Sequence, residues 1–177
     1  MARITGSWLS GPNADSGDNS PGEYQGKELG LPKSGVGALA PMTRRIPALI
    51  LDWFISLGLT AIIVRPDANA LIAKFVAANP GKQPPSHFEV IINSLATPNL
   101  GVWFVLGIAT VTLFGFTPGQ YFLRLRVSRI DIDGPVGFIR ALARQAILVF
   151  VVPALFTDGD GRGMHDRATG TALTYAR

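Results

Sequence analysis

An arginine and a carboxylate seven residues apart, Arg45 and Asp52, stand at the start of a long apolar run, Ile46–Val64. On a helix that spacing is two turns on one face, roughly 10 Å along the axis. A carboxylate placed inside a membrane-length run is costly unless it faces protein or trapped water. Two further arginines, Arg140 and Arg144, are four residues apart and share a helix face. Together with Arg45, Asp52 and the later Asp166 they could form a proton or cation relay, or a structural ion network. Arginine stays protonated, so it tunes a neighbouring carboxylate without shuttling protons itself. A carboxylate surrounded by arginines is held ionised, whereas a proton carrier must cycle, so the expectation is a structural network.

Other chemistry is harder to build from these residues. His165-Asp166 has the makings of acid–base work, yet no nucleophile motif, metal-ligand set or Gly-rich phosphate loop accompanies it. Asp158-Gly159-Asp160-Gly161 is faintly like a calcium loop but lacks the later carboxylates and the closing Glu. The chain has no cysteine, so disulfides and thiolate metal sites are excluded. No enzyme activity, catalytic residue, cofactor or metal is expected. Asp166 is expected to cap or pair with arginines, closing the bundle from its polar end. His87 reads as a polar residue in the first turn of a helix.

The elements that must position these residues are mostly apolar helices. Of the 177 residues 47% are hydrophobic, and they concentrate after Pro41. Residues 1–41 are rich in Gly, Pro, Ser, Asn and Asp and read as a disordered tail. Arg44-Arg45 precede the first span, about 46–64, and hold that end in the cytoplasm. Between Arg65 and Pro98 two short amphipathic pieces are expected, one carrying Leu71, Ile72, Phe75 and Val76. The other opens with the capping-box pattern Ser86-His87-Phe88-Glu89 and runs through Leu95.

A second span, about 99–117, carries no charge, with Trp103 expected near its outer end. Gly101, Gly107 and Gly115 would allow another helix to approach closely. Leu123–Ser128 alternates and suits a short strand or an interfacial ribbon ending at the Asp133-Gly134 turn. The third apolar segment, about 137–156, has only 13 uncharged residues between Arg144 and Asp158. That is ~20 Å of helix against ~30 Å of hydrocarbon. Either its arginines snorkel or enter the bundle and it crosses, or it dips in and returns. Residues 157–177 form a polar C-terminal segment. The fold class is therefore all-α integral membrane: two transmembrane helices and a third such segment behind a disordered N-terminal tail. The transmembrane domain occupies residues 42–177.

The charged landmarks resemble the RDD family of small bacterial membrane proteins, named for an Arg and an Asp in the first helix and a later Asp. The matching residues are Arg45 and Asp52, and Asp166 within Gly163-Met164-His165-Asp166-Arg167. Thr117-Pro118-Gly119-Gln120, Leu125-Arg126-Val127, Arg140 and Arg144 are also similar to the family pattern, over about residues 40–177. Many members carry Lys where this chain has Gln120, which puts any role for a cation there in doubt. The tail and the C-terminal motif resemble those of the actinobacterial branch. The resemblance implies either of two roles, since some members are linked to cation/proton exchange and others to larger membrane assemblies.

The net charge of +4 does not indicate nucleic acid, because the basic residues flank apolar segments rather than forming a patch with interleaved aromatics. The expected partners are the lipid bilayer and a membrane-protein complex or a second copy of the chain. Trp8, Leu9, Leu29 and Leu31 in the tail suit folding onto such a partner. The expected location is the cytoplasmic membrane, multi-pass, with the N-terminus in the cytoplasm. A non-enzymatic accessory role is the first expectation, and a small cation/proton antiporter acting as an oligomer is its rival.

Overall fold

The computed structural model describes residues 24–150, 157 and 161–177. In chain order its elements are α1 (Met42–Val64), α2 (Ala68–Ala78), α3 (His87–Phe114), α4 (Pro118–Phe122), β1 (Leu125–Arg129), α5 (Phe138–Leu148), α6 (Met164–Ala168) and β2 (Thr171–Tyr175). The molecule is mostly helical, with one two-stranded antiparallel sheet that the all-α expectation leaves out.

α1 and α3 are long and apolar enough to cross a membrane, and only 22% of each apolar window is buried. The core helix of a soluble protein would be mostly covered. What α1 buries is instead small or polar, whereas α3 buries Leu95, Trp103 and Val111 beside Asn99 and Gly107. The inner stripe of α1 is Arg45, Ala48, Asp52, Ser56 and Thr60, at intervals of three or four residues. Its outer face carries Ile46, Ile50, Trp53, Phe54, Ile62 and Ile63. This inside-out distribution satisfies polar groups within the protein and leaves hydrocarbon-like surface outside.

The two helices meet along a polar seam. The Ser56 and Thr60 hydroxyls lie 2.9 and 3.3 Å from the Asn99 side chain. Each hydroxyl also lies against a carbonyl of its own helix, that of Trp53 and that of Ser56. A hydroxyl has a single hydrogen. The amide edge facing both is therefore best met by its NH2 group, which donates to the two oxygens while they donate to the helix. Such contacts hold helices together where the surrounding solvent is apolar.

The expected break between an outer amphipathic piece and the second span does not occur. α3 starts at His87, where the Ser86 hydroxyl accepts from the Glu89 N–H at 3.2 Å, and continues through Pro98. Trp103 consequently sits in mid-helix, buried and edge-on to Trp53. α2 forms as expected, with Asp67 accepting from the Ala70 N–H. His87 Nε2 contacts Asn69 Oδ1 at 3.0 Å, joining α2 to the first turn of α3.

At the other end of the bundle a small core joins helix ends to the sheet. Ala40, Ala48, Val111, Leu125, Val127, Val136, Ala141 and Leu173 form it. Gly115 ends α3 in a left-handed conformation (φ 78°), and its carbonyl accepts from the Val127 N–H at 2.8 Å. β1 pairs with β2 in the register Leu125 to Tyr175 through Arg129 to Thr171. The last part of the expected tail belongs to this cap. Ala38, Leu39 and Ala40 are buried, and the Ala40 N–H donates to the Leu173 carbonyl. Leu39 bridges Thr174. The tail was expected to be structureless to residue 41; backbone pairing with β2 is what orders its end. Residues 1–23, with Trp8 and Leu9, lie outside the described residues.

α5 enters the bundle from this capped end and packs antiparallel to α3. Gln145 fits against Gly107, and Leu148 packs with Trp103. By Gly163 the chain is back beside Arg45, near the start of α1. α5 covers Phe138–Leu148 of the expected 137–156, and residues 151–156 lie outside the described ones.

Candidate functional site

Asp52 is placed nearly three turns into α1 and faces the short helix α4. Its Oδ2 accepts from the Thr117 hydroxyl at 2.5 Å and its Oδ1 from the Gly119 N–H at 2.7 Å. The Thr-Pro-Gly-Gln sequence is built for this contact. Thr117 caps α4 by accepting from the Gln120 N–H, and Gln120 Oε1 accepts from the Thr117 N–H, a reciprocal capping box. Pro118 occupies the first turn, where its missing N–H costs nothing. Gly119 is required because a Cβ there would overlap the Ala48 carbonyl and crowd Asp52. Gln120 is buried and its amide oxygen is used in the cap. That role needs no cation.

Arg144, on α5, is buried and forms an ion pair with Asp166 at the start of α6. Asp166 is fully buried; its Oδ1 also accepts from the Thr171 hydroxyl at 3.2 Å, and His165 Nε2 lies 3.5 Å from its Oδ2. Arg45 is buried as well, donating through Nε to the Ala40 carbonyl at 2.7 Å. Its guanidinium lies beside Gly163, where His165 also packs. Asp52 and Arg144 line one small cavity with Thr117, Gln120, Gln145 and Trp103. Two arginines and two aspartates are thus buried at the same end of the bundle, and their formal charges cancel.

Arg140 is brought elsewhere. It pairs with Asp131 at 2.9 Å and donates to the carbonyls of Thr169 and Gly170. Asp131 also holds Arg129 in a two-bond fork, at 3.0 and 2.7 Å. Those arginines, Arg129 first, pull the Asp131 carboxyl well below the usual carboxylate range, and the hydrogen bond to Asp131 in turn pushes Arg129 up. Arg140 therefore ties the end of β1 to the turn before β2 at the surface and does not face Asp52.

Of the five residues expected to form one charge network, four are buried together and the fifth is a surface tether. The sequence reading missed Thr117 and Gly119 as the direct partners of Asp52, and Ser56, Thr60 and Asn99 as a second polar layer. A signal was present: Asp52, Ser56 and Thr60 repeat every four residues in an otherwise apolar run. Among the described residues no group of three or more His, Asp or Glu is placed to hold a metal ion. Chemically the cluster can lock α1, α4, α5 and the C-terminal segment together, and its cavity could admit a small polar guest between Asp52 and Arg144.

A family model described as the RDD family matches residues 39–170. No curated protein and no solved structure matches the chain.

Proposed function

The chain belongs to the RDD family, and on that premise we propose that it is a non-enzymatic integral membrane protein serving as an accessory or assembly component of a larger membrane complex. The observation that carries this reading is that its buried carboxylates are already engaged. Asp52 is held by Thr117 and Gly119, and Asp166 by Arg144 and Thr171. A carrier needs a group free to exchange its ligand. Buried charges held by an ion pair, a hydroxyl and backbone groups instead fix one arrangement of helices.

In this reading α1 and α3 cross the cytoplasmic membrane, α5 enters from the cytoplasmic face, and Gly163 lies at that face beside Arg45. Arg44 and Arg45 at the start of α1 and Arg124, Arg126 and Arg129 after α3 all favour that side. The sheet and both chain termini are then cytoplasmic, and α2 lies on the outer face. The exposed apolar faces of α1 and α3 are available to lipid and to a membrane-embedded partner.

The rival reading, a small cation/proton antiporter working as an oligomer, is supported by one feature, the cavity that Asp52 and Arg144 share. Extraction in mild detergent separates the two. The accessory reading predicts that a second membrane protein co-purifies in fixed proportion. Recovery of the chain alone, active in ion exchange, would contradict it. Because the chain has no cysteine, single cysteines at Lys33, Lys74 and Arg177 report sidedness cleanly. Lys33→Cys and Arg177→Cys are expected to react from the cytoplasmic side, and Lys74→Cys from the outside.

A further inference from the structure

The outer side of the segment that docks on Asp52 has a surface the charge cluster does not use. α4 buries Gly119 and Gln120 and exposes Tyr121 and Phe122. These two rings continue a ladder that starts at the end of α3. Phe114 stacks on Phe116 at 5.8 Å between centroids, Phe116 meets Tyr121 at 5.3 Å, and Tyr121 meets Phe122 at 6.0 Å. Phe114, Tyr121 and Phe122 are each more than half exposed. A ladder of this size open on one side is a surface suited to the boundary of a bilayer, where aromatic rings concentrate.

Two arginines border it. Arg124 follows Phe122 by two residues and Arg126 lies on β1, alternating with the buried Leu125 and Val127. Both are exposed, Arg126 on the side of the strand away from the core and Arg124 in the turn that precedes it. The Arg126 side chain lies across Gly115, its Nε 3.2 Å from where a Cβ would stand, so the guanidinium sits between the residues that carry Phe114 and Phe116. Among the described residues neither arginine has a carboxylate partner, in contrast to Arg129 and Arg140, which share Asp131. Two unneutralised guanidiniums beside an exposed aromatic ladder match a ligand with an anionic head and apolar chains. Guanidinium binds phosphate oxygens in a fork, and the rings offer a face to acyl chains.

We propose that Arg124 and Arg126, with the ladder Phe114, Phe116, Tyr121 and Phe122, bind the phosphodiester headgroup of an anionic phospholipid at the face where α1 begins. The proposal rests on the membrane placement given above. Because α4 carries the ladder on one side and grips Asp52 on the other, lipid binding here braces the contact between α4 and α1.

Native mass spectrometry of the full chain in a nonionic detergent tests it, with phosphatidylglycerol titrated against phosphatidylcholine of the same acyl chains. The wild-type chain is expected to prefer phosphatidylglycerol by on the order of tenfold, a preference that falls as salt is raised. Arg124→Gln with Arg126→Gln is expected to abolish it. Lys74→Gln with Lys82→Gln removes the same charge at the other end of the bundle and is expected to leave it intact. Excess inorganic phosphate is expected not to displace the lipid. Equal binding of the two lipids by the wild type, an undiminished preference in the arginine variant, or displacement by phosphate alone would overturn the proposal. Whether the chain fractionates with membranes before extraction tests the membrane placement separately.

Discussion

Asp52 Oδ1 accepts the Gly119 N–H at 2.7 Å, joining positions 67 residues apart. The contact needs a glycine, because a methyl group at residue 119 would collide with the Ala48 carbonyl on the same turn of α1. It also needs the carboxylate where it is, nearly three turns inside an apolar helix, at the level where α4 meets α1. The two most unusual residues of this segment explain each other.

Gly119→Ala is accordingly expected to destabilise the protein by about 1–3 kcal/mol through overpacking, with further loss as the Asp52 bond breaks. Gly58→Ala and Gly101→Ala, where nothing lies within 4 Å of the added carbon, are expected to be near neutral. Thermal unfolding of the three variants in one detergent checks the contrast. A Gly119→Ala variant as stable as the other two would mean that α4 does not dock as described.

Much of this site was legible in the sequence, and the parts that were not have a common reason. Arg45, Asp52 and Asp166 stood out because a charge in or beside an apolar run is rare and needs a partner. The identity of the partner was not legible, since Asp52 uses a backbone N–H and a hydroxyl, groups that carry no charge signal. Arg140 was misplaced because i, i+4 spacing puts two residues on a shared face without saying how wide the face is. One of them points to the cluster and the other to Asp131. β2 was missed because Thr171–Tyr175 becomes a strand only by pairing with residues about 46 positions earlier. Pro98 suggested a boundary, and α3 runs through it.

The Arg144–Asp166 pair predicts an asymmetric mutational pattern. Arg144→Leu leaves a fully buried aspartate unpaired and is expected to cost about 3–5 kcal/mol. Adding Asp166→Leu should recover part of that loss, giving a coupling readable in a double-mutant cycle. Asp52→Asn keeps an oxygen to accept the Gly119 N–H and is expected to be milder than Arg144→Leu. Arg140→Leu, at the surface, is expected to be milder than Arg144→Leu too. Folded yield and unfolding midpoints in detergent measure all four, and additive effects at residues 144 and 166 would contradict the pairing.

The Asp131 fork makes a prediction about pH. Its carboxyl is held below the usual range by Arg129 and Arg140, so its folded-state affinity for protons is lower than in the unfolded chain. A depressed carboxyl contributes stability at pH values above the ordinary carboxylate range and loses it as pH falls through the folded value. The stability difference between wild type and Asp131→Asn is therefore expected to be constant from neutrality to about pH 5 and to shrink in stronger acid. It should also shrink with added salt, since the pair is exposed. A difference that grows on acidification would contradict the assignment.

The central claim is that the buried charges lock the fold and do not cycle. Its most direct test is proton flux across liposomes containing the purified chain, with a pH-sensitive dye inside and sodium, potassium or lithium added outside. The account predicts no flux above protein-free liposomes for either the wild type or a folded Asp52→Asn variant. Cation-dependent flux from the wild type, abolished by Asp52→Asn without loss of fold, would contradict it.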